Sequence, residues 1–161
     1  MGDYKNLEAR IKVHEGFRNT VYLDTLSNKT IGWGNLCTKD EIWEEGKEYS
    51  EEELHRVFIT DLNRAIDGAN KLCHDIELPE LAKEIIIEMV FQLGAGGVSK
   101  FKKFWKFLRE GKFFDASCEM LDSRWAKQTP NRAHELSELM KICDYKKKKA
   151  ALYLLAGKGQ Q

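Results

Sequence analysis

A chain of 161 residues, 42% hydrophobic and 32% charged, carries enough apolar material for one compact core, and its charge argues for a soluble protein. No apolar run approaches the ~20 residues that cross a bilayer, and the most apolar stretch, Ile85 to Leu93, is interrupted by Glu88 and Gln92. Net charge is zero but polarised. Residues 1–80 hold 10 Lys+Arg against 17 Asp+Glu, net −7, and residues 81–161 hold 16 against 9, net +7. Such a basic half either attracts an anionic polymer or is simply a solvated face.

In chain order, residues 3–15 read as a helix capped by Asp3, with Leu7, Ile11 and His14 near one side and Gly16 in place to end it. Thr20–Asp24 and Thr30–Gly34, joined by a polar turn around Ser27-Asn28, read as a β-hairpin. Gly32 and Gly34 suggest a close backbone approach or unusual torsion angles there. Residues 38–49 are acidic and irregular. Ser50 with Glu53 forms a capping box opening a long amphipathic helix through Leu54, Phe58, Leu62, Ile66 and Ala69 to about Cys73.

Pro79 begins a helix that is apolar on nearly every side, broken by Gly94-Ala-Gly-Gly97. A further amphipathic helix places Phe101, Phe104, Trp105 and Leu108 inward and its lysines outward. Residues 114–125 form the next, Thr129-Pro130 starts the last as cap and first-turn proline, and the tail is expected to fray after Leu155. The expectation is an α+β, mainly helical fold. It has a small β-hairpin lobe at about 12–50 and a linking helix at about 50–73. An all-helical lobe at about 74–155 would include the N-terminal helix. A cleft between lobes is the default binding site.

Cys37, Cys73, Cys118 and Cys143 lack any CxxC spacing and read as free thiols. The histidines show no ligand spacing, so neither a metal nor a cofactor is expected. Met1-Gly2-Asp3-Tyr4-Lys5-Asn6 lacks the pattern of a secretory signal, which predicts synthesis in a cytoplasm.

One constellation suits chemistry. Glu15 ends a helix, and Asp24 and Thr30 lie on the hairpin that follows. Glycoside hydrolysis needs a carboxylic acid to protonate the leaving oxygen and a second carboxylate to activate water or attack the sugar. The negative end of the helix dipole disfavours an ionised Glu15, whereas polar turn residues keep Asp24 ionised. Thr30 offers a hydroxyl to hold a water. By themselves, two such carboxylates are more often solvated surface groups.

The segment His14-Glu-Gly-Phe-Arg-Asn-Thr-Val-Tyr-Leu-Asp24, followed by Thr30-Ile-Gly-Trp-Gly34, resembles the catalytic signature of the phage-type lysozymes, the endolysins of glycoside hydrolase family 24. Met89-Val-Phe-Gln-Leu-Gly94, Ser123-Arg-Trp125 and Gln128-Thr-Pro-Asn-Arg132 extend the likeness to the T-even phage lysozymes over about residues 7–140.

The resemblance implies a two-lobed lysozyme-like fold. It implies a muramidase cutting the β-1,4 bond between N-acetylmuramic acid and N-acetylglucosamine of peptidoglycan, with inversion and without cofactor. It implies Glu15 as general acid, Asp24 as second carboxylate and Thr30 as third member of the set. Leu36 and Phe91 become glycan contacts, and Arg132 becomes the cation beside the catalytic glutamate. The implied setting is lysis of a bacterial host by a monomer made in the host cytoplasm. A separate holin-type protein would release it to the wall, with no nucleic-acid partner and no stable membrane association.

The chain departs from the T-even pattern at Asn35, which replaces a histidine that would pair with Asp61, so Asp61 is expected to lack an ion pair, and at Phe104 and Glu119, where cleft residues are small or neutral. A lytic transglycosylase, or a non-catalytic wall-binding protein on the same scaffold, are the alternative readings. Trp33 is the best aromatic candidate for stacking on sugar.

Overall fold

The computed structural model describes residues 4–39 and 41–158. The chain is mainly helical with one small antiparallel sheet. Its elements in order are α1 (Lys5–Glu15), β1 (Arg18–Leu23), β2 (Lys29–Gly32), β3 (Asn35–Leu36), α2 (Glu51–Leu72), α3 (Glu80–Ser99), α4 (Lys102–Arg109), α5 (Phe113–Leu121), α6 (Arg124–Gln128) and α7 (Pro130–Lys158). Two compact units emerge, Met1–Asp67 and Gly68–Gln161, the division falling within α2.

In the first unit, α1 buries Leu7 and Ile11 completely. The cap expected of Asp3 lies outside the described residues. Gly16 stops the helix with φ 70° and ψ 173°, a backbone region essentially restricted to glycine, and its N–H still closes on Lys12 O. The chain then turns into the sheet, ordered β1-β2-β3.

Tyr22 pairs with Thr30 across β1 and β2, and Thr30 pairs with Leu36 across β2 and β3. Cross-strand partners share a face, so Tyr22, Thr30 and Leu36 form one row. The third strand was not legible as such. It exists because Gly32 (φ 64°) and Gly34 (φ 78°) take left-handed torsions that fold Trp33 and Gly34 into a tight turn.

Trp33 is only 7% exposed. Its ring packs against Phe17 at 4.5 Å and Phe58 at 5.7 Å between centroids, with Lys12 Nζ 4.4 Å from its centre. It is therefore a core residue of this unit rather than a sugar-stacking surface, because the turn aims it inward.

The capping box at α2 forms as its sequence predicts. Ser50 Oγ accepts from Glu53 N, while Glu53 Oε2 accepts from Ser50 N and Oγ. Leu54, Phe58, Leu62, Ala65 and Ala69 form its buried stripe.

In the second unit, α3 has Ile85, Ile86, Ile87 and Met89 wholly buried. The expected break at Gly94–Gly97 narrows to a kink: Gly94 alone leaves helical torsions (φ 74°, ψ 157°), and the helix resumes to Ser99. The single helix expected over 114–125 is two. Asp122 (φ −86°, ψ 56°) ends α5, and the Ser123 hydroxyl accepts from Ala126 N to start α6. The Thr129 hydroxyl donates to Trp125 O and accepts from Gln92 Nε2. α7 packs on α3, α5 and α6 and continues to Lys158, past the point where fraying was expected.

Candidate active site

Glu15 is the last residue of α1 and is half-buried. Its carboxylate lies against the turn between β2 and β3. A Cβ added at Gly34 would stand 2.8 Å from Glu15 Oε2, closer than real atoms tolerate. Glycine at 34 thus leaves room for the carboxylate.

Asp24 follows the end of β1. Its Oδ1 accepts from the backbone N–H groups of Leu26 and Asn28, both at 2.8 Å, and its Oδ2 accepts from Asn28 Nδ2 at 3.2 Å. The Asn28 N–H bond is the main reason that the Asp24 carboxyl titrates below its ordinary value, aided by the Asn28 side chain and Leu26 N. Ser27, with φ 64°, is the left-handed residue that curls the loop enough for this. Asp24 N also donates to Asn28 O at 2.9 Å.

Thr30 sits on the central strand, 3% exposed, and its hydroxyl donates to Asn28 O at 3.1 Å. One asparagine therefore ties the two residues together: it holds the Asp24 carboxylate and receives the Thr30 proton. Thr30 Oγ keeps acceptor capacity for another donor.

Tyr22 faces Thr30 across the strands and has the Arg18 guanidinium 4.7 Å from its ring centre. Partial burial raises its phenol pKa, and the Glu15 carboxylate raises it further, opposed by Arg18; Asp24 adds to the rise. Both carboxylates consequently act on one phenol. Glu15, Asp24 and Thr30, separated by up to 15 positions in sequence, are thus linked through Tyr22, which pairs with Thr30 across the strands and feels the charge of both carboxylates. Tyr22 and Asn28 were not singled out as site residues from sequence. Their signal was the Tyr-x-Asp spacing and the asparagine in a Ser-Asn turn, a residue type that supplies both backbone and side-chain donors.

Leu36 is 54% exposed on β3, in the same row as Thr30. Phe91 lies on α3 and is half-buried. Arg132, on α7, is buried, and its Nε lies 3.2 Å from Oε1 of the fully buried Glu88 on α3. The run of apolar residues on α3 gave no hint that Glu88 is the anchor of a buried ion pair.

Asn35 donates to Glu41 Oε2, which also accepts from Thr38 N and Trp43 Nε1. The expectation that Asp61 lacks an ion pair is corrected. Its Oδ1 lies 3.0 Å from Arg64, one helical turn onward, although burial still raises its pKa. Phe104 is fully buried and Glu119 is half-buried, and both border a concavity of about 650 Å³ with Phe101, Arg124, Trp125 and Gln128. The four cysteines are free thiols, and burial pushes Cys73 up to about 11.

Comparison with known proteins decides the family. The phage lysozyme family model matches residues 12–141, spanning every residue of the cluster just described. The chain belongs to the phage lysozyme family. It is similar to probable T4-type lysozyme 2 of Dictyostelium discoideum, 32% identical over 154 residues, covering 81% of this chain and 91% of the relative. Probable T4-type lysozyme 1 of the same organism is 30% identical with the same coverage. The pre-baseplate central spike protein Gp5 of Enterobacteria phage T4 is 28% identical over 157 residues, covering 84% of this chain and 27% of that protein. The phage lysozyme fold accounts for the mainly helical α+β architecture, and membership makes the chain a glycoside hydrolase of lysozyme type, acting on peptidoglycan. No helix among the described residues is long and apolar enough to cross a membrane.

Proposed function

We propose that the chain is a muramidase that hydrolyses the β-1,4 bond between N-acetylmuramic acid and N-acetylglucosamine. Glu15 protonates the glycosidic oxygen. Asp24, ionised, takes a proton from a water whose second hydrogen is accepted by Thr30 Oγ, leaving the water lone pair directed at the anomeric carbon. The observation that carries this reading is the binding of Asp24. Three donors hold its carboxylate and lower its pKa. With Oδ1 saturated by two backbone N–H groups, Oδ2 is the oxygen left to orient a water, which favours a base over a covalent nucleophile and an inverted product.

Leu36, exposed beside Thr30, and Phe91 on α3 are proposed as apolar surfaces for the sugar rings, and Arg132 as a supporting cation whose position is fixed by Glu88. The enzyme acts as a monomer on the wall of a bacterial host, after synthesis in the cytoplasm and release by a separate holin-type protein.

The test is digestion of purified peptidoglycan with mass analysis of the released muropeptides. Hydrolysis adds one water per cut and leaves a reducing end on N-acetylmuramic acid. An anhydro sugar instead identifies a lytic transglycosylase, and binding without release identifies a wall-binding protein.

A further inference from the structure

Every residue from 145 to 157 of α7 is exposed. Among them Leu152, Tyr153, Leu154 and Leu155 are 67–70% exposed. Consecutive helical residues are about 100° apart, so these side chains encircle the helix instead of lining one side. A helix that is apolar all round is one that becomes buried.

Immediately before this apolar turn, Lys146, Lys147, Lys148 and Lys149 encircle the same helix. Lys147 reaches Gly111 O, and Lys148 lies 2.7 Å from Asp144, yet all four remain at the surface. Six lysines face a single aspartate between residues 141 and 158. The match to the family ends at residue 141, so this segment is not part of the catalytic layout.

We propose that the end of α7 is an attachment site for an anionic lipid bilayer surface. The apolar turn, Ala150 to Ala156, rises only about 10 Å, a third of the ~30 Å hydrocarbon core. It enters the headgroup and upper acyl region without spanning. The lysine collar then lies at the depth of the phosphates, where each cation near an anionic surface strengthens attachment. Tyr153, with Lys149 Nζ 5.9 Å from its ring centre, supplies the amphipathic ring that favours such interfaces. A second copy of the chain is the weaker occupant. Parallel pairing juxtaposes two lysine collars, and antiparallel pairing sets each collar against the other's apolar turn.

The test is sedimentation of the full chain with vesicles. Phosphatidylglycerol–phosphatidylethanolamine vesicles should carry it down at low salt, at least tenfold better than phosphatidylcholine, and added salt should release it. Lys146→Glu with Lys149→Glu, and separately Leu152→Ser with Leu155→Ser, should each lower partitioning at least tenfold while peptidoglycan hydrolysis stays at the wild-type rate. No sedimentation with anionic vesicles, or sedimentation indifferent to both pairs of changes, overturns the proposal. So does a concentration-dependent dimer that the leucine changes abolish without any vesicle binding, which assigns the surface to a second copy.

Discussion

The Glu15 carboxylate rests on the backbone of Gly34, where a side-chain carbon would come within 2.8 Å of Oε2. Glycine at 34 is needed twice: for its φ of 78°, and for the space the carboxylate fills.

Gly34→Ala should therefore hurt activity more than folding. The left-handed torsion costs an alanine roughly 1–2 kcal/mol, which a folded domain tolerates. The displaced Glu15 should lower the hydrolysis rate at least tenfold. Thermal unfolding and turbidity reduction on cell walls, measured on the same preparation, check this. Unchanged activity means that Glu15 works from another position.

Asn28 controls the protonation of Asp24. Asn28→Ala keeps the backbone donors and removes Nδ2, so the Asp24 pKa should rise toward its ordinary 3.8. The sign follows from the depressed folded value. The ionised form and the stability it brings are present above the unfolded pKa, and both are lost as pH falls through the folded one. The variant should lose activity at higher pH than the wild type does on the acid side. A pH profile of kcat/KM through the acid range reads the shift, and an acid limb that stays in place removes Asn28 from the account.

Arg132 and Glu88 hold α7 to α3 from inside the core. Arg132→Met takes the cation from a wholly buried carboxylate, a change that costs about 3–5 kcal/mol in buried pairs. Adding Glu88→Gln should recover part of that loss. Urea unfolding of the two single variants and the double variant measures the coupling, and simple additivity contradicts a direct pair.

Trp33 belongs to the core of the sheet-bearing unit. Trp33→Ala should destabilise by about 3–5 kcal/mol, whereas Trp33→Phe should fold and retain a KM for peptidoglycan within about twofold of wild type, since a buried ring offers the glycan no face. A large rise in KM for the phenylalanine variant contradicts the inward placement.

Much of this was legible in residue patterns. The capping box at Ser50 and Glu53, the amphipathic stripe of α2 and the hairpin around Ser27-Asn28 follow from local rules, because their stabilising bonds lie within a few residues. What escaped depends on torsions or on partners far away in sequence. Asp122 ends α5 through its own backbone angles, and the one local sign of the break is Ser123, a residue type suited to capping the next helix. Glu88 lies in an apolar run whose burial is plain, but its partner is 44 positions onward. Asp61 was read as unpaired because only residue 35 was considered, while Arg64 stood one turn along the same helix. At the site, the Glu-Gly and Tyr-x-Asp spacing singled out Glu15 and Asp24 through the family resemblance. Only the fold reveals that Asn28 ties Asp24 to Thr30 and that Tyr22 feels both acids.

The central claim is that Glu15 supplies the proton for glycosidic cleavage. Glu15→Gln is isosteric and leaves the packing against Gly34 intact. Its rate of peptidoglycan solubilisation, measured beside wild type with circular dichroism confirming the fold, tests the claim most directly. The account predicts loss of at least a hundredfold with stability unchanged. A folded Glu15→Gln variant that clears cell walls at the wild-type rate contradicts it.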